Sequence, residues 1–374
     1  MRANRRDVTI RREAMNSIFS FVTVAALLSA LLAGQSSAAQ VKILPDNFTG
    51  AKQPQIAADP KGNIFVALGK ENSVYVARSA NGGKTFQTPT LVGTVEKLAL
   101  GMRRGPQIVA GEKSVVATAI SHTDGNLYSW ISEDEGSTWS KLARINDAAK
   151  SAREGLHGMA GNESGLIFSA WLDLRNQKTQ LWGARSINGG KSWEPNVQIY
   201  ESPDKTICEC CHPSVALADD GKIVVMWRNW LGGNRDMYLA RSEDGGKTFE
   251  SALKLGTGNW PLKGCPMDGG SVIISSNQVV AVWRRENRLF ASSMDLPETL
   301  LSESGTQPIV TRTKTGFDFL WQNSGNLYCK RGLASKTDLF AASATYASAA
   351  WSPVLQKSFI VWEGDGAIFC ADVE

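Results

Sequence analysis

Three thiols and an imidazole fall within five consecutive residues, Cys208-Glu209-Cys210-Cys211-His212. Elsewhere the chain holds only three more cysteines, Cys265, Cys329 and Cys370, and two more histidines, His122 and His157. Soft donors gathered this densely suit metal ligation, disulfide formation or thiol redox exchange. As a metal set, Cys208, Cys210, Cys211, His212 and Cys265, with His157 and the thioether of Met267, offer enough ligands for copper(I) or zinc. The paired Cys-x-x-Cys of a zinc finger is absent, and the dense thiols beside a thioether favour copper. As disulfides, Cys265 would join one of the triplet. Bridges between 210 and 211, or 208 and 210, would be strained and easily reduced.

The N-terminus reads as a targeting segment. Arg2, Arg5, Arg6, Arg11 and Arg12 precede an apolar run from Ile18 to Leu32, and Ser37-Ala38-Ala39 offers small residues for cleavage. The run is short for a membrane span, so residues 1–39 are expected to be a signal peptide and residues 40–374 a secreted or periplasmic domain. In that oxidising compartment an even number of cysteines suits disulfides. Five arginines against Asp7 and Glu13 give the leader a net +3 of the formal +4, leaving the mature part near +1. So little charge argues against nucleic acid as a partner, because phosphate binding needs a basic face. A small molecule, a glycan or a metal is the expected ligand, with a protein-binding platform as a third reading.

Placing the thiols requires the scaffold, and the scaffold repeats. Ser79-Ala80-Asn81-Gly82-Gly83-Lys84-Thr85-Phe86 returns at 132–139, 186–193 and 242–249, at intervals of 53, 54 and 56 residues. Each octet has hairpin-turn chemistry: an Asn or Asp accepts backbone hydrogen bonds, and a glycine supplies positive φ. Strand-like runs flank it, such as Ser73 to Arg78 and Met237 to Arg241. A second repeat is a short opening at 53–56, 105–108, 157–159, 212–215, 265–267, 307–310 and 352–354. A third is an apolar run ending in Trp171, Trp227, Trp283, Trp321 or Trp362.

The octet resembles the Asp-box, or BNR repeat, and the mature chain resembles sialidase-type β-propellers over nearly all its length. The resemblance implies an all-β propeller of four-stranded blades, each box joining the third and fourth strands and serving folding. Seven openings imply seven blades, or six if one late opening is false. The last repeat lacks a fourth strand, and Val41 to Phe48 is expected to supply it and close the ring. Cys329 and Cys370, at equivalent places in the last two repeats, are expected to pair there.

In such a ring the residues before each opening converge on one axial rim. They include Arg103 and Arg104; Arg153, Glu154 and His157; the cysteine run; and Cys265, Met267 and Asp268. The resemblance further implies, for an active sialidase, three arginines on a substrate carboxylate, a tyrosine–glutamate nucleophile and an aspartate acid/base. Arg104-Gly105-Pro106 is similar to the family's Arg-Ile-Pro element, but it follows the first box where the family's precedes it. Arg153, Arg228 and Arg284 or Arg285 would complete the triad, with Asp268 as acid and Glu154 as base. No tyrosine fits the nucleophile. Tyr75, Tyr128, Tyr238 and Tyr328 read as third-strand packing residues, Tyr200 ends a fourth strand, and Tyr346 lies among alanines and serines. Trp230, Trp260 and the loop 231–235 flank the cysteine run and offer aromatic faces to a sugar. The expected site is therefore a metal or binding centre on the thiols, with an exo-glycosidase of acidic sugars as the alternative.

Overall fold

A computed structural model describes residues 39–275, 278–293 and 296–373. The expected leader, apart from Ala39, lies outside the described residues. The rest is a propeller of seven four-stranded antiparallel sheets. Blade 1 holds strands Lys52–Ala58, Ile64–Lys70, Ser73–Ser79 and Thr90–Thr94. Blades 2 to 6 repeat this meander from first strands Gln107–Ala110, His157–Gly161, Ser214–Leu217, Ser271–Ser275 and Thr306–Arg312. Blade 7 holds Ala344–Ser352, Lys357–Gly364 and Ala367–Val373, and its fourth strand is Val41–Lys42. Val41 lies opposite Cys370, and the Ile43 amide donates to the Ile368 carbonyl at 2.9 Å. The ring thus closes as the short final repeat requires, and no blade is left with an unpaired third strand. Ile43 and Leu44 are buried against blades 1 and 7. Leu44→Ala should lower unfolding free energy by about 3 kcal/mol in a urea titration, the usual loss for a buried leucine.

First strands of successive blades lie against one another around the whole axis. Second strands are buried over most of their length, wholly so in Ile223–Arg228. Each is covered by a neighbouring blade on both faces, so its sequence is a continuous apolar run. Trp171, Trp227, Trp283, Trp321 and Trp362 are all fully buried. Each faces an aromatic partner in the third strand: Trp182, Tyr238, Phe290, Tyr328 and Phe369 respectively. Cross-strand aromatic pairs of this kind add stability beyond area burial.

The four octets join third and fourth strands of blades 1 to 4. In the fourth, Gly246 N–H donates to Ser242 Oγ at 2.8 Å and Thr248 N–H to Asp244 Oδ1 at 3.0 Å. Gly245 and Gly246 have φ +72 and +87, and a Cβ at Gly246 would lie 2.6 Å from Phe168 of blade 3. The glycine therefore serves both the turn and the seating of one blade on the last.

Cys329 and Cys370 are not bonded. Cys329 packs in the layer between blades 6 and 7, and Cys370 in the layer between blades 7 and 1. Equivalent positions one blade apart share an orientation but face different interfaces, so the symmetry that suggested pairing separates them.

Candidate functional site

The cysteine run forms the loop from blade 3 into blade 4. Its start is pinned by two backbone bonds, Ile207 N–H to Thr179 O at 2.9 Å and Cys208 N–H to Arg228 O at 3.2 Å. A turn at Glu209 and Cys210 then folds the chain back. Cys208 Sγ comes within 3.5 Å of Cys210 Sγ and 3.7 Å of Cys211 Sγ, and all three sulfurs lie within 4.8 Å of one another. The three side chains are buried.

Two other loops complete the pocket. From blade 4, Arg235 Nη1 donates to Cys208 Sγ at 3.0 Å, and this arginine is only 5% exposed. From the blade-5 opening, Asp268 N–H donates to Cys211 Sγ at 3.4 Å, and Met267 packs on the sulfurs. Hydrogen bonds from Cys210 and Cys211, with the Arg235 charge, hold the Cys208 thiol well below its usual range. The hydrogen bond with Cys208 pushes the Cys210 thiol up, and burial does so at Cys211. The cluster is thus one thiolate steadied by a guanidinium and two thiol donors.

Cys265, His212 and His157, expected in the same ligand set, stand apart from it. Among the described residues no other His, Cys, Asp or Glu joins the three-sulfur group. Cys265 is exposed, because its loop turns inward only at Met267. His157 and His212 instead line an axial cavity of about 220 Å³ with Arg103, Gln107, Ser214 and Ser271. His157 Nε2 lies 3.0 Å from Thr118 Oγ1, and burial lowers its pKa to about 3. Burial, with the Arg103 charge, also lowers His212 to about 3. Both rings are neutral at pH 7. The chain passes so close here that a Cβ at Gly269 would overlap the His212 carbonyl oxygen.

Arg103 crosses the mouth of this cavity. Its Nε donates to Gln307 Oε1 at 2.5 Å and its Nη1 to Ala347 O at 2.8 Å, linking blade 2 to blades 6 and 7. Burial lowers its pKa to about 10, against the opposing charges of Asp268 and Tyr346.

The residues named for a sialidase reaction do reach this rim, but in other roles. Arg228 is 1% exposed and gives its guanidinium to the carbonyls of Asp268, Arg235 and Arg284 at 2.8–3.1 Å. Arg104 Nε donates to Glu154 O at 2.7 Å. Arg285 makes a bidentate pair with Glu298 at 2.8 and 2.6 Å, and Arg153 is exposed. Asp268 is fully buried, with Oδ2 accepting the Gln307 amide at 2.8 Å. Burial raises the Glu154 carboxyl, with Arg104 opposing and Glu209 adding to the rise. Tyr200 packs at a tilt on Trp227, ring centres 4.8 Å apart, and accepts from Asn229 Nδ2 at 3.0 Å. Trp230 is 36% exposed above Arg235, whereas Trp260 is buried beside Arg228 and Arg284.

Arg235 was visible in the sequence only as part of a loop near the thiols; nothing local marked it as the thiolate's partner. Gln307 was legible only as the start of an opening. Both contacts bridge different loops, which a one-chain pattern does not encode.

No protein-family model matches this chain, and no curated protein does. Solved structures share its fold. An alpha-L-arabinanase of Penicillium chrysogenum complexed with arabinobiose aligns at TM-score 0.56 and 12% identity, over 91% of this chain and 99% of that one. An intramolecular trans-sialidase of Ruminococcus gnavus in complex with oseltamivir carboxylate aligns at 0.52 and 11%, over 90% and 98%. A polysaccharide lyase of family PL25, an ulvan lyase, aligns at 0.53 and 11%, over 89% and 95%. The chain thus shares a propeller fold with these proteins. Three different chemistries on one scaffold show that this fold does not select a reaction.

Proposed function

We propose that this chain is an exported binding protein holding one thiophilic metal ion, copper or zinc, on Cys208, Cys210 and Cys211. The observation that carries the reading is the buried sulfur triangle, with edges of 3.5 and 3.7 Å from Cys208. Ligand sulfurs about 2.3 Å from a common ion stand about 3.8–4.0 Å apart, so the two edges from Cys208 need only a few tenths of an ångström of expansion, and the third lies within 4.8 Å. Arg235 supplies positive charge against the thiolates, which eases their burial.

The test is elemental analysis of protein isolated without oxygen from the cell envelope or the medium, with a thiol count. About one equivalent of metal is expected, and Cys208→Ser/Cys210→Ser/Cys211→Ser should carry none. Metal far below one equivalent in protein whose six cysteines are oxidised rejects the reading. The glycosidase alternative requires a free cationic fork, and Arg228, Arg104 and Arg285 are engaged as described. Turnover of a fluorogenic sialoside by the metal-free protein would favour it.

A further inference from the structure

We propose that Met267 is the fourth ligand of this centre, and that its thioether makes the centre a copper(I) site. The proposal rests on the metal reading above and goes one step beyond it. Among the described residues, Met267 is the apolar side chain that packs on the sulfur triplet from outside it. The next residue ties the same backbone to the cluster through Asp268 N–H and Cys211 Sγ. Blade 6 clamps both residues: Gln307 Nε2 donates to Met267 O at 2.6 Å, and Gln307 N–H to Asp268 Oδ2 at 2.8 Å. The backbone that carries Met267 is therefore held beside the thiols by contacts from two blades, and its side chain packs on the cluster.

Met267 has φ +55, a left-handed conformation that favours glycine. Gln53, Gln307 and Tyr346 share it at the openings of blades 1, 6 and 7, with φ 56, 53 and 52. The backbone state thus belongs to the fold. What distinguishes blade 5 is the side chain placed there, a thioether packed against three cysteine sulfurs. A thioether binds copper(I) well and adds little for zinc, which prefers thiolate, imidazole and carboxylate. The competing role is packing, since methionine fills irregular gaps. Leucine preserves volume and removes only the sulfur, so Met267→Leu separates the two roles.

Reduced, metal-free protein would be titrated with copper(I) against a chromophoric copper(I) chelator, and separately with zinc. Met267→Leu should bind copper(I) at least about tenfold more weakly, a loss that even an outer-shell change can bring, with zinc affinity unchanged. X-ray absorption at the copper edge should count four sulfurs in the wild type and three in the variant. Equal copper(I) affinities, with three sulfurs in the wild type, overturn the ligand role of Met267 and leave the triplet reading intact. No copper(I) binding by the wild type overturns this proposal, and no binding of zinc either overturns the triplet reading with it. Should the variant fail to fold, the wild-type sulfur count decides alone.

Discussion

Arg228→Leu is expected to destabilise the propeller by about 4 kcal/mol or more, the scale of removing one partner from a buried charged network. The side chain is 1% exposed, and its guanidinium donates to three backbone carbonyls, on two loops and on the second strand of blade 5. Leucine fills part of the volume but leaves Asp268 O, Arg235 O and Arg284 O without this donor, and each buried orphan costs about 1–3 kcal/mol. Lysine should not rescue it, because a point charge lacks the fork that spans three acceptors. The consequence reaches the thiols. Asp268 accepts from Arg228 through its carbonyl and donates to Cys211 Sγ through its amide. Cys208 N–H in turn bonds the Arg228 carbonyl. Urea unfolding should show a lower midpoint at unchanged slope. The native-state rate of thiol modification by an aromatic disulfide should rise. A stability change below about 1 kcal/mol would show that water replaces the guanidinium at those carbonyls, and the loops would then need another organiser.

Which parts of this molecule were legible follows from what a repeat encodes. A propeller repeat specifies position around the axis. The octets, the second-strand tryptophans and the missing last strand all concern that coordinate, and the seven blades and the Val41–Lys42 closure match them. Distance from the axis and depth along it are set by contacts between loops of different blades, for which the repeat carries no signal. His157 and His212 therefore share the rim with the thiols but turn into the central cavity. Cys265, two residues from Met267, stays exposed while Met267 reaches the cluster. The same limit explains the arginines. Arg104, Arg228 and Arg285 reach the right azimuths, and each meets a carbonyl or carboxylate of its neighbours instead of a common point. Cys208, Cys210 and Cys211 were legible because one short loop supplies all three, so their convergence needs no other blade.

Acid should expose the other buried chemistry of this fold, the neutral imidazole of His157. Burial lowers its folded pKa to about 3, whereas an unfolded histidine titrates near about 6.5. Between those values the unfolded chain binds a proton that the folded one does not. Stability from this group is therefore complete above about pH 6.5 and is lost as pH drops, at about 1.4 kcal/mol per unit, for a total loss of about 4–5 kcal/mol by pH 3. Burial pushes the carboxyls of Glu154, Asp318 and Glu363 upward, and they act with the opposite sign. The informative quantity is thus the wild-type curve minus that of His157→Gln. Glutamine keeps a partner for Thr118 Oγ1, which lies 3.0 Å from the imidazole Nε2, and it does not titrate. The variant should be less stable at pH 7, and its disadvantage should shrink by about one proton's slope between pH 6 and pH 4. A difference curve flat across that range would mean that the folded imidazole takes up its proton as readily as the unfolded one. The 220 Å³ axial cavity would then have to solvate that charge, a property of a wet channel rather than of a dry hub.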